Sequence, residues 1–314
     1  MGELPTRALG DSGLQVSVVG LGSNNFGRRV DLDGTRAVVD AAIEEGATFV
    51  DTADIYGGGG RGEELLGQVL SGRRDQVVLA TKFGMDMGDG RGPRGAPAYI
   101  REAVESSLQR LDTDVIDLYW YHQPDGETPI EETLEALDRL IDAGTVRAIG
   151  ASNFSAQQIE EADATARERG LTRFAAVQNH YSLLDRGAER DVLPTCERLG
   201  LGFVPFFPLA SGLLTGKYKR DQSGPDGARL SGRSRIATDE QFDLLEALER
   251  FASERGLSMT EVAIGALLAR PVISSVIAGA TKPEQVRANA AAGRWTPSAA
   301  DLEELGKLLG PPPG

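Results

Sequence analysis

Short β-rich runs alternate with amphipathic helical patterns from one end of this chain to the other. Eight such runs are recognisable: VSVVGLG, TFVDTAD, VVLATKFG, IDLYWYH, VRAIGASN, AAVQNHY, GFVPFFPL and SSVIAGA. Eight strand–helix units within roughly 250–300 residues are typical of a (β/α)8 (TIM) barrel, and we predict a single such domain over residues 1–314. A doubly wound sheet of about six strands is the rival, but GLGSNNFG lacks the G-x-G-x-x-G spacing of that fold.

The sequence also indicates how the chain enters the barrel and where helices begin. Ahead of the first strand, RALGDSGLQVS is typical of a β-hairpin that turns at Asp11-Ser12-Gly13, and we expect it to plug the amino end of the barrel. Capping-box spacing marks three helix starts, at Ser155 with Gln158, Thr238 with Gln241 and Ser258 with Glu261. Thr128-Pro129 is predicted to be an N-cap followed by the first helical residue.

Long loops follow strands three and seven, at residues 84–97 and 217–237. Loops of this length in a compact domain are usually functional or disordered, and loops after barrel strands belong to the catalytic face. The second loop is basic, whereas the chain as a whole has a formal net charge of −14. It contains Lys217, Lys219, Arg220, Arg229, Arg233 and Arg235 against Asp221 and Asp226. We expect it to offer anionic phosphates a place in an otherwise acidic protein.

Charge and hydropathy exclude several classes of partner and location. An acidic chain without a basic face is not expected to bind nucleic acid. No apolar run reaches the roughly 20 residues needed to span a bilayer, and MGELPTRALG lacks the apolar core of a signal peptide. The single cysteine, Cys196, excludes an internal disulfide framework and indicates a reducing compartment. We therefore expect a cytoplasmic protein with no membrane partner and a buried, structural thiol; the sequence leaves the oligomeric state open.

Four polar side chains arrive in order at the ends of strands two, three and four: Asp51 and Tyr56 in VDTADIYG, Lys82 in LATKFG and His122 in DLYWYHQPD. Barrel enzymes build active sites from such strand ends. A buried carboxylate and a buried ammonium each need an opposite charge, so we expect an Asp51–Lys82 ion pair. The ammonium should lower the pKa of the Tyr56 phenol. The set suits protonation or polarisation of a carbonyl oxygen, although a core ion pair and a structural histidine explain the residues taken singly.

Later strand ends offer groups suited to a nucleotide cofactor. Ser152-Asn153 and Gln178-Asn179 supply hydroxyl and amide groups for a planar carboxamide, and Phe206 supplies an aromatic face. LASGLLTGKY adds small residues and a lysine, and GATKPEQVRAN leads into a helix after strand eight. Phosphate sites after strands seven and eight recur in this fold. Taken singly, Ser152 can be an N-cap and GATKPE a plain turn.

Together, VDTADIYG, ATKFG, LYWYHQPD, IGASNF and PLASGLLTGKY resemble the aldo-keto reductases, NADPH-dependent (β/α)8-barrel oxidoreductases that act on aldehydes and ketones. The resemblance runs from GLGSNNFG to GATKPEQVRAN. It is strongest to a bacterial group that is also similar to potassium-channel β subunits. The specific order of the motifs makes the resemblance much stronger than any one of them.

The resemblance implies a catalytic tetrad of Asp51, Tyr56, Lys82 and His122, with Tyr56 as general acid and His122 orienting the carbonyl. It implies that Ser152, Asn153 and Gln178 hold the nicotinamide carboxamide, with Phe206 stacked on the ring. It places Leu209, Ser211, Gly212, Leu214 and Lys217 along the pyrophosphate, and Gly279, Thr281, Lys282, Gln285 and Asn289 around the adenosine end. Gly22 and Ser23 belong to the same implied cofactor site, and no metal is implied.

Three positions depart from the family pattern. Phe206 stands where Tyr or Trp is common, Gln285 where many members carry an Arg that grips the 2′-phosphate, and Ala288 where a Glu is common. Lys282 is the candidate to take the phosphate instead, and NADH stays a possible cofactor. Walls of the substrate pocket are expected from residues 84–97, Asn24, Asn25, Phe26, Trp120 and the C-terminal segment that contains Trp295.

The resulting prediction is an NADPH-dependent reductase of small carbonyl compounds. One alternative is a nucleotide-binding regulatory or redox-sensing subunit with slow turnover, which would retain its oxidised cofactor. Another is an isomerase or lyase on the same barrel, which would need no nicotinamide.

Overall fold

Eight parallel strands form the centre of the computed structural model, which describes residues 3–222, 224–225, 229–230 and 236–312. The hairpin strands are β1 (Thr6–Ala8) and β2 (Gln15–Ser17), and the barrel strands are β3 (Val19–Gly22), β4 (Phe49–Asp51), β5 (Val78–Phe83), β6 (Ile116–Tyr121), β7 (Val146–Ser152), β8 (Ala176–Gln178), β9 (Gly202–Phe203) and β10 (Val276–Gly279). Neighbours in the chain pair from β3 to β9, and β10 pairs with β3. Parallel bridges from Phe203 to Ile273 and from Phe206 to Ile277 complete the circle. The predicted (β/α)8 barrel is confirmed.

The predicted hairpin is present and closes the amino end of the barrel. Its two strands pair antiparallel, with Thr6 opposite Ser17. Leu9, Leu14 and Val16 are buried in the hairpin. They join a core made of Phe49, Ala80, Leu118, Trp120, Ala148, Ala176, Val204 and Ile277. Because side chains fill this end and the middle of the barrel, a ligand has room at the carboxyl ends of the strands.

Helices surround the barrel: α1 (Leu32–Glu44), α2 (Tyr56–Gly59), α3 (Arg61–Leu70), α4 (Pro97–Leu111), α5 (Ile130–Asp142), α6 (Ala156–Arg169), α7 (Val192–Leu199), α8 (Asp239–Glu254), α9 (Met259–Leu268), α10 (Pro283–Ala292) and α11 (Ala299–Leu309). The capping boxes at Ser155, Thr238 and Ser258 are present as predicted. Thr128 is not an N-cap, because α5 begins one residue later and Pro129 occupies that position. Cys196 is buried in the core between strands and helices, and burial raises the pKa of its thiol to about 12.

The loop after β5 is held together by ion pairs. Arg94 donates to Asp86 at 3.0 Å and to Asp89 at 2.7 Å. The Arg94 and Arg91 guanidinium groups lie 4.8 and 4.9 Å from the centroid of the Tyr99 ring on α4. These contacts fasten the loop to the helix that follows it.

The loop after β9 uses its basic residues in two ways. Lys219 pairs with Glu249, and Arg220 pairs with Asp243 and with Glu246 on α8. The expectation that the whole basic segment serves phosphate groups is therefore wrong for Lys219 and Arg220, since carboxylates of a neighbouring helix neutralise them. Asp226, Arg233 and Arg235 lie outside the described residues.

We predict that Leu14→Ala lowers the free energy of unfolding by about 2–5 kcal/mol, because truncation leaves a cavity in the floor of the barrel. Leu14 is 3% exposed. Leu302→Ala is the matched control, since Leu302 is 41% exposed, and we expect it to change stability by less than about 0.5 kcal/mol. Urea unfolding measures both variants. Equal effects would mean that the hairpin does not pack into the barrel.

Candidate active site

A cavity of about 570 Å³ opens at the carboxyl ends of the barrel strands. Its volume lies within the range of small-molecule and cofactor sites. The predicted site residues that line it are Gly22, Ser23, Asp51, Tyr56, His122, Ser152, Asn153, Gln178, Phe206, Leu209, Ser211, Gly212, Lys217, Gly279, Thr281, Gln285 and Asn289. Lys82, Leu214 and Lys282 do not line it. Residues distant in sequence therefore share one cavity, as strand-end positions on a barrel require.

A buried ion pair lies beneath the cavity. Lys82, at the end of β5, is fully buried, and its ammonium group pairs with Oδ2 of Asp51 at the end of β4. Lys82 Nζ also donates to the Thr52 carbonyl oxygen at 2.7 Å, and Gln178 Nε2 donates to the other carboxylate oxygen of Asp51 at 3.0 Å. Burial alone would lower the pKa of Lys82, but Asp51 and Tyr56 together outweigh burial and raise it. Lys82 is therefore charged. Its charge acts on the groups that line the cavity, although Lys82 itself does not line it.

Tyr56 begins α2 directly above this pair. The Lys82 ammonium lies 5.3 Å from the centroid of the Tyr56 ring. The next residue, Gly57, has φ 76°, and a Cβ there would lie 2.9 Å from the Phe26 carbonyl oxygen. A glycine is therefore needed to turn the chain tightly enough to present Tyr56 to the cavity.

The sequence-based expectation for the Tyr56 pKa is wrong in its net direction. Lys82 does lower the pKa of the phenol, as expected, but burial is the larger effect and raises the pKa above its ordinary value of 10.0. Tyr56 is consequently protonated at neutral pH. The adjacent Lys82 ammonium still stabilises the phenolate that forms when Tyr56 gives up its proton.

His122 follows β6 and lies next to Tyr56 in the lining of the cavity. The ring centroids are 6.1 Å apart, with an interplanar angle of 85°. The backbone N–H of His122 donates to the Phe83 carbonyl at 2.7 Å, and Asn153 Nδ2 donates to the His122 carbonyl at 2.9 Å. Burial and then the Lys82 charge lower the pKa of His122 to about 3. The imidazole is therefore neutral at neutral pH and can donate one hydrogen bond without carrying a charge.

The amide groups predicted for a carboxamide are partly engaged with one another and with the catalytic candidates. Gln178 donates to Asp51, and Asn153 donates to the His122 carbonyl and to Ser152 Oγ at 3.2 Å. Asn153 adopts φ 59°, the left-handed conformation that Asn tolerates better than most residues. These bonds fix the orientation of the side chains at the end of β7 and β8 that line the cavity.

Three cations line the cavity. Lys217, from the loop after β9, lies against Gly212, where a Cβ would be 2.7 Å from Nζ. Arg29, from the loop after β3, also lines the cavity, and burial followed by the Arg29 charge lowers the pKa of Lys217. Arg229 lines it as well, with its guanidinium group 4.8 Å from the Phe207 ring centroid. Cations that converge on one cavity favour an anionic ligand.

Sequence reasoning missed Arg29. The only signal for it was a pair of basic residues, Arg28-Arg29, soon after the first strand of an acidic chain. Such a pair is usually solvated, and only the fold brings its second member toward Lys217.

The outer end of the cavity lies between β10 and the start of α10. Gln285 Oε1 accepts from the Thr281 backbone N–H at 2.8 Å and from the Thr281 hydroxyl at 3.2 Å, so this amide braces the turn. Lys282 is the exposed N-cap residue of α10 and lies beside the lining residues rather than among them. Leu214 is 0% exposed and packs in the hydrophobic core.

Several expected walls of the substrate pocket lie elsewhere. Trp120 is buried in the barrel interior, Phe26 belongs to the outer core, and Trp295 packs against Gly265 of α9. Residues 84–97 do not line the cavity, whereas Asn24 and Asn25 do. The sequence-based expectation was wrong for the aromatic residues because large apolar side chains contribute most when they are buried in the core.

Comparison with known proteins agrees with this geometry. The model of the aldo/keto reductase family matches residues 18–309. This chain belongs to the aldo/keto reductase family. It is 39% identical over 290 residues to the uncharacterized oxidoreductase YrpG of Bacillus subtilis (89% of this chain, 88% of that protein). It is 34% identical over 313 residues to the aldo-keto reductase YhdN of the same organism (96% and 92%). It is 37% identical over 298 residues to a probable voltage-gated potassium channel subunit beta of rice (90% and 89%).

Family membership makes this reductase an NAD(P)H-dependent oxidoreductase that acts on small carbonyl compounds. The cavity suits such a cofactor, because amide donors and cations line the same cavity. Ser23 Oγ and Asn24 Oδ1 are buried and lack a hydrogen-bond partner within the described part of the chain. Buried polar atoms of this kind need a partner. Within the same residues, no helix is both long and apolar enough to cross a membrane.

A second buried acid lies behind the site. Asp54 is 4% exposed, and its backbone N–H donates to the Lys82 carbonyl at 3.1 Å. Glu63 on α3 is fully buried and pairs with Arg110 on α4 at 2.7 Å. Burial, followed by the Glu63 charge, raises the pKa of Asp54 to about 7. In the unfolded chain an aspartate loses its proton near pH 4. Between about pH 4 and pH 7 the folded protein therefore holds a proton on Asp54 that the unfolded chain has lost.

We predict that Asp54→Asn stabilises the reductase more at pH 8 than at pH 4. Between pH 4 and pH 7 the native state binds the extra proton, so wild-type stability falls as pH rises. An amide removes this dependence, and the relative gain at pH 8 is at most roughly 4 kcal/mol. Asp142→Asn, at an exposed position on α5, is the control. Thermal unfolding across this pH range provides the measurement, and parallel curves for wild type and Asp54→Asn would contradict the raised pKa.

Proposed function

We propose that this reductase reduces aldehydes and ketones to alcohols with NADPH, and that Tyr56 donates the proton. The observation that carries the proposal is the arrangement at the cavity mouth. A protonated phenol and a neutral imidazole lie side by side at the cavity, and a buried ion pair lies next to the phenol. This arrangement supplies a proton to an oxygen and does not supply a nucleophile, so it suits carbonyl reduction by an external hydride.

The cavity residues divide the cofactor among them in this proposal. Ser152, Asn153 and Gln178 hold the carboxamide, while Phe206 supports the ring. Lys217, Arg29 and Arg229 neutralise the pyrophosphate, with Leu209, Ser211 and Gly212 alongside it, and Gly279, Thr281, Gln285 and Asn289 surround the adenosine end. Gly22 and Ser23 border the same groove. When bound, the reduced nicotinamide supplies the hydride that the carbonyl carbon receives.

The proton comes from Tyr56 in this mechanism. Burial keeps the phenol protonated until the carbonyl oxygen gains negative charge. The Lys82 ammonium, itself held by Asp51, then stabilises the phenolate that Tyr56 becomes. His122 is neutral and donates a hydrogen bond that orients the carbonyl oxygen. The neutral His122 imidazole has no imidazolium proton to give to the substrate oxygen. The acid role is therefore assigned to Tyr56.

We predict that Tyr56→Phe lowers kcat by a factor on the order of 10²–10⁴, the usual contribution of general acid catalysis. Binding of the dinucleotide should change little, because the phenol serves proton transfer. Tyr119→Phe is the control, since Tyr119 is fully buried outside the cavity. Absorbance at 340 nm with a reactive aromatic aldehyde measures turnover, and intrinsic fluorescence measures binding. Normal turnover in Tyr56→Phe would remove this residue from the acid role.

The similarity to a probable potassium channel subunit favours one alternative, a nucleotide-dependent regulatory subunit with slow turnover. The two functions differ in what happens to oxidised cofactor. An enzyme releases it and continues, whereas a sensor retains it after one cycle. A single-turnover burst followed by a stop, with excess NADPH and aldehyde, would favour the regulatory function; steady consumption of many equivalents favours the reductase.

Preference for NADPH is assigned to Lys282 in this proposal. Gln285 braces Thr281 and carries no charge, whereas Lys282 is a cation at the start of α10 beside both lining residues. A flexible ammonium there can reach a 2′-phosphate, which NADH lacks.

We also propose that the reductase acts in the cytoplasm and that residues 1–314 form one functional domain.

We predict that Lys282→Ala weakens NADPH binding about tenfold more than NADH binding, the loss typical of one charge-assisted contact. Arg287→Ala on the same helix is the control, because Arg287 lies 3.5 Å from Glu44 of α1 and is engaged away from the cavity. Fluorescence titration with both dinucleotides gives the ratio. If Lys282→Ala weakens both equally, the lysine does not recognise the 2′-phosphate.

A further inference from the structure

Two consecutive aromatic residues, Phe206 and Phe207, line the same cavity. Consecutive residues of a regular strand point to opposite faces, so a strand could bring only one of these rings to the cavity. Phe206 keeps the pairing of a strand, because its backbone N–H donates to the Asn179 carbonyl at 3.1 Å and it bridges Ile277 of β10. Phe207 departs from strand geometry, with φ 54°. This change of backbone direction brings the second ring into the cavity wall.

The conformation of Phe207 is unfavourable for its residue type. A positive φ is uncommon outside glycine and is an outlier for a bulky side chain. The Phe207 carbonyl accepts from the Ala210 backbone N–H at 2.9 Å, and this bond holds the turn. The large apolar ring is 36% exposed and is not part of the hydrophobic core. Core packing therefore does not explain its position, and backbone strain of this kind clusters where proteins hold ligands.

The Phe207 ring supports a cation of the cavity. The Arg229 guanidinium lies 4.8 Å from the ring centroid, and both residues line the cavity. The backbone beside Arg229 is fixed as well, because Leu230 is buried and its N–H donates to the Tyr218 hydroxyl at 3.1 Å. A guanidinium that stacks through its flat face keeps its N–H groups in its own plane. Contact with the ring therefore does not prevent those groups from donating to an anion.

We propose that Phe207 is a positioning residue that holds the Arg229 guanidinium where it binds the pyrophosphate of the cofactor. This rests on the proposed function, in which Arg229 neutralises the pyrophosphate. A long side chain on an exposed loop loses rotamer freedom when a ligand orders it, and that loss weakens binding. Stacking on Phe207 restricts Arg229 before the ligand arrives, so less affinity is lost. The strained backbone at Phe207 serves the same role, because it brings the ring beneath the guanidinium.

The test removes the ring and keeps the backbone conformation. Phe207→Asn does this, because asparagine tolerates the left-handed conformation, and Phe207→Tyr retains a ring. Calorimetric titration gives dissociation constants for three ligands: NADPH; ADP-ribose, which has the pyrophosphate but no nicotinamide; and adenosine 2′-monophosphate, which has neither. Phe207→Asn should weaken NADPH and ADP-ribose about three- to tenfold and leave adenosine 2′-monophosphate unchanged. Phe207→Tyr should stay within about twofold of wild type for all three.

A double-mutant cycle with Arg229→Gln separates positioning from direct contact of the ring with the ligand. Arg229→Gln alone should weaken NADPH on the order of tenfold. If Phe207 acts through Arg229, adding Phe207→Asn to Arg229→Gln should weaken NADPH by less than about a further twofold.

Three results would overturn the role of Phe207 and leave the proposed function standing. These are an unchanged NADPH constant in Phe207→Asn, an equal loss for adenosine 2′-monophosphate, and losses that multiply in the double variant. Failure of wild type to bind NADPH and NADH alike would overturn both proposals.

Discussion

The buried ion pair between Asp51 and Lys82 is the interaction on which the rest of the site depends. Both groups are almost completely removed from water, and neither charge could remain there alone. The pair bridges neighbouring strands, because Asp51 is in register with Ala80 and Lys82 lies two residues further along β5. Gln178 bonds the second carboxylate oxygen of Asp51 from β8, several strands away. One polar network therefore links distant parts of the barrel rim, and the positions of Tyr56 and the amide groups follow from it.

Around this charged pair, Tyr56 and His122 are kept neutral. Burial raises the pKa of Tyr56 and lowers that of His122, so burial prevents ionisation of an acid and a base alike. Both effects arise because low polarity penalises whichever form is charged. A site with one compensated charge below and two neutral donors above can respond to charge that develops on a carbonyl oxygen, since its donors are already oriented and need no large rearrangement.

The sequence predicted well what depends on local pattern. Strand runs, the hairpin and the capping boxes are written in neighbouring residues, and a barrel converts strand ends such as Asp51 and Lys82 into neighbours in space. What failed depends on which partner a side chain takes in the folded structure. Thr128 has the right spacing for an N-cap, yet its hydroxyl donates to Asp125 at 2.8 Å and α5 begins later. Trp295 has the chemistry of a pocket wall, but Gly265 on α9 leaves space for it in the core.

The basic segment after β9 shows how such errors have a physical origin. From composition we expected all of its cations to serve phosphate groups. In the structure, some of them pair with carboxylates of α8 and others line the cavity. Lys219 and Arg220 neutralise carboxylates of α8, which a chain of net charge −14 has in excess. These contacts fasten the backbone two and three residues beyond Lys217. The ammonium group that lines the cavity is thus positioned by ion pairs outside it, because the mobile stem of a lysine needs a fixed backbone to bring its charge to one place.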